Sequence, residues 1–403
     1  MKRIFRSRPI MTEETHRATT VEIFFDLVFI FALTRIVLLM GRPPTFLSLA
    51  QGLILLLLLW TTWTIYTWVG NLVRADAGLV PAGAIVAMAA VFVAALVIPN
   101  AWQHGNEVMD APLILALAYI ALRAINIALG LHAAGGDRQL RFTQGLFATT
   151  AILAWIPLVL GALLHGTAQT LLWAAAFVID FSGGVIASAV SGWRLRSPSH
   201  FAERHGLVLI IALGESLISV GTGAELAVTR GPVLLAALLA ITNAVCGWRL
   251  YFKETATVAR HALETAPSAQ RGRIATYAYS LAHFPLVAGV IYGALGVEQV
   301  LGHLAHGGPW HATRLDWAST VALYGGAVLY LTGRLLFLRL AVRSAPRAQV
   351  VAIGVALLLL PAARNLPALA ALGLLTAFLV ALVWYEQFSV GSRHPVAGEA
   401  TPA

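Results

Sequence analysis

Nine ionisable residues stand inside long apolar runs of this chain: Glu22, Asp26, Arg35, Arg123, Asp180, Glu215, Arg249, Arg334 and Glu386. An ionised side chain in hydrocarbon is costly unless paired or hydrated, so such residues mark ion pairs, proton relays or ligand sites. Glu22 and Asp26 are four apart and share a helix face. Arg35 lies nine residues further on, about 180° round the helix axis. The segment that carries all three must meet protein or water on two sides. Asp26, set among Phe24, Phe25 and Phe29, reads as a transport or proton-relay carboxylate, or else as half of a structural ion pair. Glu22 is closer to the membrane edge and reads as a snorkelling acid paired with Arg17 or Arg204.

A second cluster, His200-Phe-Ala-Glu203-Arg204-His205-Gly206, leads into an apolar run carrying Gly214-Glu215-Ser216. Glu203 and Arg204 stand at the membrane entrance, as a gate or a structural clasp. Glu215 falls near mid-membrane beside a glycine that permits close helix approach. Tyr119, Arg123 and Asn126 share one helix face, and Tyr330 with Arg334 repeats the pattern. Arginine presents a permanently charged planar fork, suited to a carboxylate partner or an anionic ligand. Asp180 and Glu386 are the available acids. Trp60, Trp63, Thr64, Thr67 and Asn71 form a polar-aromatic stripe, and Thr276, Tyr279 and His283 form another. Each stripe lines a cavity or sits at the bilayer interface. His283, the only histidine well inside an apolar run, is a proton carrier or a hydrogen-bonded packing residue. His303-x-x-His306 and His311 are loosely spaced and have no acid or cysteine beside them, so no metal site is expected. No phosphate-binding glycine loop, nucleophile elbow or H-E-x-x-H occurs, which argues against an ATP-driven pump. No catalytic residue and no cofactor are assigned.

The elements that must position these groups follow from composition. Of 403 residues, 59% are hydrophobic and 11% charged, with mean hydropathy +0.80. Runs of roughly 20 apolar residues recur, the length that crosses about 30 Å of hydrocarbon. They are continuous rather than alternating, and a lipid-facing backbone must satisfy its own hydrogen bonds, so they are helices. Spans are expected at 21–40, 46–70, 79–98, 112–130, 144–164, 168–190, 206–222, 232–252, 276–296, 316–340, 348–363 and 366–388. The eleventh is short and ends near Pro361, so the fold is an all-α polytopic bundle of twelve or eleven spans. Of the 27 Lys and Arg, 19 fall in the N-terminus, the even-numbered loops and the C-terminus; Arg42, Arg230, Arg314 and Arg364 lie in odd-numbered loops. The positive-inside rule then places both termini in the cytoplasm of a bacterial inner membrane. The net charge of +9 reflects that topology and not a nucleic-acid surface. The basic start, with Lys2, Arg3, Arg6 and Arg8, leads into a retained first helix and not a signal peptide. Cys246 is the single cysteine and rules out an internal disulfide.

The chain also repeats itself. Asp26-Leu-Val-Phe-Ile-Phe-Ala-Leu-Thr-Arg35 aligns with Gly206-Leu-Val-Leu-Ile-Ile-Ala-Leu-Gly-Glu215, Trp63-x-x-Tyr66 with Trp248-x-x-Tyr251, and Tyr119-x-x-x-Arg123 with Tyr330-x-x-x-Arg334. The matches keep their order, as expected of two parallel six-helix repeats. The resulting organisation is a basic N-terminus (1–20), a first half (21–190), a connector (191–205), a second half (206–388) and a polar tail (389–403).

Thr20-Val-Glu-Ile-Phe-Phe-Asp26-Leu-Val-Phe29 and His200-Phe-Ala-Glu-Arg204 leading into Ile211-Ala-Leu-Gly-Glu215-Ser216 resemble the two signature segments of the bacterial low temperature requirement A family. The segment ending at Phe252 and Tyr279-Ser-Leu-Ala-His283-Phe-Pro285 also resemble family segments, so the likeness runs from about residue 16 to 388. It implies an integral membrane protein of many helices and supplies no reaction. More faintly, Phe24-Phe25-Asp26 is similar to the F-S-D motif of six-plus-six potassium channels, with Gly206 in place of the second acid. The expectation is a secondary transporter or permease with proton coupling, acting on an unnamed small solute or ion in a lipid bilayer. A passive ion channel, an intramembrane lipid-modifying enzyme and a structural or sensory membrane protein are the alternatives. Candidate solute or ion residues are Asp26, Arg35, Arg123, Asp180, Glu215, His283 and Arg334; candidate structural or gate residues are Glu22, Glu203, Arg204, Trp63 and Tyr119.

Overall fold

The computed structural model describes residues 9–103, 105, 110–191, 195–224, 229–306 and 311–391. The basic residues Lys2, Arg3, Arg6 and Arg8, the end of the polar tail at 392–403, and Arg194 lie outside the described residues. Twelve continuous helical rods make up what is described, and no strand element occurs among the described residues.

The first six rods are α1 (Thr20–Met40), α2 (Phe46–Leu72), α3 (Val80–Asn100), α4 (Ala111–Ala134), α5 (Arg138–Leu164) and α6 (Gly166–Ser191). The second six are α7 (Pro198–Ala224), α8 (Gly231–Thr265), α9 (Ser268–His306), α10 (Trp317–Val342), α11 (Arg347–Arg364) and α12 (Ala368–Gly391). Eleven of these are long and apolar enough to cross a membrane. Doubt at the sequence level fell on the eleventh span, yet Pro361 is accommodated inside α11. The rod left out of the eleven is α7, whose described stretch carries Glu203, Arg204 and Glu215.

Local chemistry sets the helix starts. Thr19 caps α1 in a reciprocal box with Glu22, and Thr45 does the same with Ser48 for α2. Asp110, Asp137 and Asp316 cap α4, α5 and α10. Two rods extend well past the expected spans: α8 runs to Thr265, not 252, and α9 starts at Ser268, not 276. At 1.5 Å per residue they reach roughly 50 to 60 Å, so a helical hairpin projects beyond a bilayer core of about 30 Å. Wide turns interrupt α8 at Tyr251–Thr255, α9 at Ala275–Leu281 and α10 at Val321–Gly325, local overwraps that often mark working sites. The expected connector 191–205 is partly helix, because α7 begins at Pro198.

The first six rods and the second six share several contacts. Rod α1 packs on α2 and α3, and α7 packs on α8 and α9; α3 meets α4 and α9 meets α10; α2 meets α6 and α8 meets α12. Between halves, α1 lies against α7 and α9, and α2 against α7. Small residues permit the closest approaches. A Cβ at Gly289, Gly296 or Gly326 would fall within 2.6 Å of backbone on the facing rod. Ahead of α1 a strap from Pro9 to Thr19 crosses the end of α2. Met11 bridges Val73, Thr12 bonds to Leu72 and Gly70, and Glu14 and His16 carbonyls accept from Ser197 Oγ.

Candidate functional site

The charged residues of the signature segments meet where α1 and α7 touch. Arg204 donates from Nη1 to Glu22 Oε1 at 2.7 Å, from Nη2 to Asp26 Oδ1 at 2.6 Å and from Nε to Asp26 Oδ2 at 3.1 Å. Trp63 of α2 donates its indole N–H to Asp26 Oδ1 at 2.7 Å. The second Glu22 oxygen accepts from the Thr19 amide and hydroxyl. His200 Nε2–H donates to Glu22 at 3.0 Å, while its Nδ1 faces the Asn71 amide nitrogen, so the ring is neutral with its proton on Nε2. Asn71 is itself oriented, since its carbonyl oxygen accepts from the amides of Arg196 and Ser197. Asp26, His200 and His205 are fully buried, and Glu22 and Arg204 nearly so. Two carboxylates thus face one guanidinium in a buried setting, where each oxygen finds a donor. Glu22 pairs with Arg204 as expected, but it is buried and does not snorkel to the surface. Glu203 lies at the edge of this cluster and accepts from the Ala18 amide at 3.1 Å, tying the strap to α7.

Beside the cluster stand two further buried histidines. His205 gives its Nδ1 proton to the Phe201 carbonyl, leaving Nε2 with no partner, and its ring lies 5.1 Å from His283. His283 donates from Nδ1 to the Ala278 carbonyl and accepts at Nε2 from the Tyr251 hydroxyl at 2.7 Å. Tyr279 stacks on His283, and its hydroxyl has no partner. Tyr251 and Tyr279 both come from the wide turns of α8 and α9, which turn these rings inward.

The other charges pair within each half. Arg123 of α4 grips Asp180 of α6 through Nη2 at 2.5 Å and Nε at 2.9 Å, and Tyr119 donates to the same carboxylate at 2.7 Å. Arg334 of α10 grips Glu386 of α12 with two bonds of 2.7 Å and reaches Thr255 Oγ1 of α8 at 2.9 Å. Arg249 lies against the Gln387 amide. Among the described residues Arg35 and Glu215 enter no ion pair, although Arg35 lies over the Phe31 ring at 5.9 Å. Both are half-buried.

The candidates therefore form three clusters and two single charges. Glu22, Asp26, Trp63, Glu203 and Arg204 come together, with His283 beside them. Tyr119, Arg123 and Asp180 form a second group, and Arg334 with Glu386 a third. Arg35 and Glu215 stand apart. Sequence reading missed the roles of Thr19, Asn71 and His205. The Thr19-x-x-Glu22 spacing is a helix-start signal that could have placed Glu22; nothing local announces His205. His303 and His306 donate to carbonyls of their own helix, and no metal-ligand group occurs among the described residues.

Two larger cavities flank the clusters. One of about 90 Å³ lies inside the second half between α7, α8, α9, α10 and α12. The other, about 100 Å³, lies between α2, α5, α6 and α9, where Trp60, Thr64, Asp180 and Thr276 line it.

Comparison with known proteins converges on the family already suggested by the motifs. The model of the bacterial low temperature requirement A protein (LtrA) matches residues 17–384. A protein of Rhizobium meliloti (strain 1021), described as "Uncharacterized protein RA0937", is 28% identical over 392 residues, covering 93% of this chain and 90% of the relative. No solved structure matches. The chain belongs to the bacterial low temperature requirement A family.

Proposed function

We propose that this family member is a proton-coupled secondary transporter whose two six-helix halves meet at α1 and α7. The observation that carries the reading is the seam itself. Arg204 from the second half clasps Glu22 and Asp26 from the first. On the same two helices Arg35 and Glu215 stand without ion-pair partners among the described residues. They lie nine residues beyond Asp26 and eleven beyond Arg204, about 14 and 17 Å along parallel rods. Charges kept unpaired among apolar helices suit a solute or proton path, since either otherwise carries a cost with no return.

A duplication is supported by the repeated helix contacts and by two equivalent ion pairs, α4 to α6 and α10 to α12. Parallel repeats of this kind rock against one another. Protonation of Glu215, or of a carboxylate held by Arg204, would shift the balance between two such arrangements. We place both termini in the cytoplasm of the inner membrane, on the distribution of Lys and Arg. A structural or sensory role is the second reading, favoured by the complete pairing of Arg123 with Asp180 and Arg334 with Glu386.

The test is solute flux into proteoliposomes, with and without a pH gradient, comparing wild type with Asp26→Asn and Glu215→Gln. Gradient-dependent uptake of a solute, lost in both folded variants, supports transport. Gradient-independent uptake supports a channel. Conversion of a lipid extract supports an enzyme, and variants that are merely destabilised support a structural role.

A further inference from the structure

Two of the internal matches and the equivalent ion pairs fix a register between the halves, and that register links two cavities. Trp63 and Tyr66 correspond to Trp248 and Tyr251, 185 residues on; Tyr119 and Arg123 to Tyr330 and Arg334, 211 on; and Asp180 to Glu386, 206 on, through the equivalent ion pairs. Among the residues lining the cavity of the second half are Ala240, Asn243, Ala244, Gly326, Tyr330 and Leu379. The same offsets lead to Leu55, Leu58, Leu59, Leu115, Tyr119 and Trp173. All six line one small void in the first half. That void is about 20 Å³, against about 90 Å³ in the second half. Five of the six positions carry a larger or more apolar side chain in the first half, and the sixth is tyrosine in both.

Leucine and tryptophan therefore fill in one half what alanine, asparagine and glycine leave open in the other. Gly326 has a packing reason to be small, because a Cβ there would strike Gly289 and Gly293 of α9. At 243 asparagine stands where the first half has leucine, a side chain of similar size. Its Oδ1 is buried with no hydrogen-bond partner. Such an acceptor in an apolar wall is costly unless something donates to it. Ser216 lines the same cavity, one residue from Glu215, with its own proton given to the Leu213 carbonyl.

We propose that this second-half cavity is the solute site, and that it takes a small uncharged molecule with an apolar body and one hydrogen-bond donor, while the first half holds a plugged copy. The volume suits a few heavy atoms, being smaller than the roughly 150 Å³ cavity that accepts benzene. Asn243 lines the cavity, its amide turns to bring the unpartnered Oδ1 to the donor, and the alanine and leucine walls meet the body. A short-chain alcohol has this chemistry. The proposal deepens the transporter reading and rests on its two-half register.

The experiment uses the full chain in lipid nanodiscs, with empty nanodiscs subtracted, and fluorine NMR of two probes: 4-fluorobutan-1-ol and 1-fluoropentane. Wild type should bind the alcohol saturably. Asn243→Leu, which installs the first-half residue, should weaken the alcohol roughly tenfold, as loss of one hydrogen bond to a buried acceptor does, and leave fluoropentane unchanged. Ala240→Leu and, as a second filling variant, Ala244→Leu should abolish both, with circular dichroism confirming the fold. Absence of saturable binding to wild type, or alcohol affinity unmoved by Asn243→Leu and by the folded filling variant, overturns the proposal. Binding is read without a gradient, so intact binding with no flux would sink the transport reading alone.

Discussion

Arg204 and Asp26 are each the seventh residue of their helices, and they meet across the two halves through hydrogen bonds of 2.6 and 3.1 Å with both side chains buried. The helices thus start side by side, locked nearly two turns inside their starts. Glu22, one turn earlier, shares the same guanidinium. Breaking either bond has a different expected cost because the other carboxylate remains.

Asp26→Asn should lower stability by about 1.5–3 kcal/mol, the worth of hydrogen bonds to a charged group. Glu22 then still balances Arg204. The double variant Glu22→Gln with Asp26→Asn leaves a buried guanidinium uncompensated and should cost about 3–5 kcal/mol. Unfolding titrations in detergent micelles would check both values; equal effects for the single and double variants would show that Glu22 contributes nothing.

The two intra-half ion pairs should differ in sensitivity. Asp180 is 1% exposed, whereas the Glu386 side chain is 20% exposed. Arg123→Ala strands a buried carboxylate and should cost about 3–5 kcal/mol, with Arg334→Ala costing less because water can reach Glu386. Replacing both Arg123 and Asp180 by apolar residues should restore much of the loss. Thermal unfolding followed by tryptophan fluorescence would rank the three variants.

The glycines of α9 divide sharply. A Cβ at Gly289 meets Gly326 and Tyr330 backbone atoms at 2.6 Å, and one at Gly293 meets nothing. Gly289→Ala should therefore cost about 1–3 kcal/mol through forced backbone shifts. Gly293→Ala should be neutral or slightly stabilising, since alanine suits a helix interior better. Melting temperatures of the pair decide it, and equal destabilisation would contradict the close approach of α9 and α10.

Thr19→Ala removes one side of the box that caps α1 and also one donor to Glu22. A loss of about 0.5–2 kcal/mol is expected from the cap. Amide hydrogen exchange should speed up selectively over the first turn of α1, and uniform exchange across the chain would argue against a local role.

Much of this architecture was legible from hydropathy alone, because lipid allows so few backbone solutions. The spans were found, and counting charges of each sign in the apolar runs offered Asp180 and Glu386 as acids for the arginines, without assigning which arginine takes which. Other features were hidden for physical reasons. The extensions of α8 to Thr265 and of α9 from Ser268 are amphipathic and charged, so a hydropathy window ends before them. Convergence of Arg204 on both Glu22 and Asp26 depends on two helices whose relative rotation no local pattern encodes. Arg35 and Glu215 align in sequence, yet Arg35 is half a turn from Asp26, while Glu215 returns to nearly the Arg204 face. His205 was passed over because its partners, Trp63 of α2 and Tyr279 and His283 of α9, come from two other rods.

The most direct test of two halves that move against each other is a distance measurement between equivalent loops. Spin labels at Gly136→Cys and Ser344→Cys, in a Cys246→Ser background in nanodiscs, report on the turns after α4 and α10. Two distance populations are expected, with a ratio that changes with pH and a shift toward one of them in Asp26→Asn. A single distance, the same at every pH and in the variant, would contradict this and leave the buried charges as fasteners of a rigid bundle.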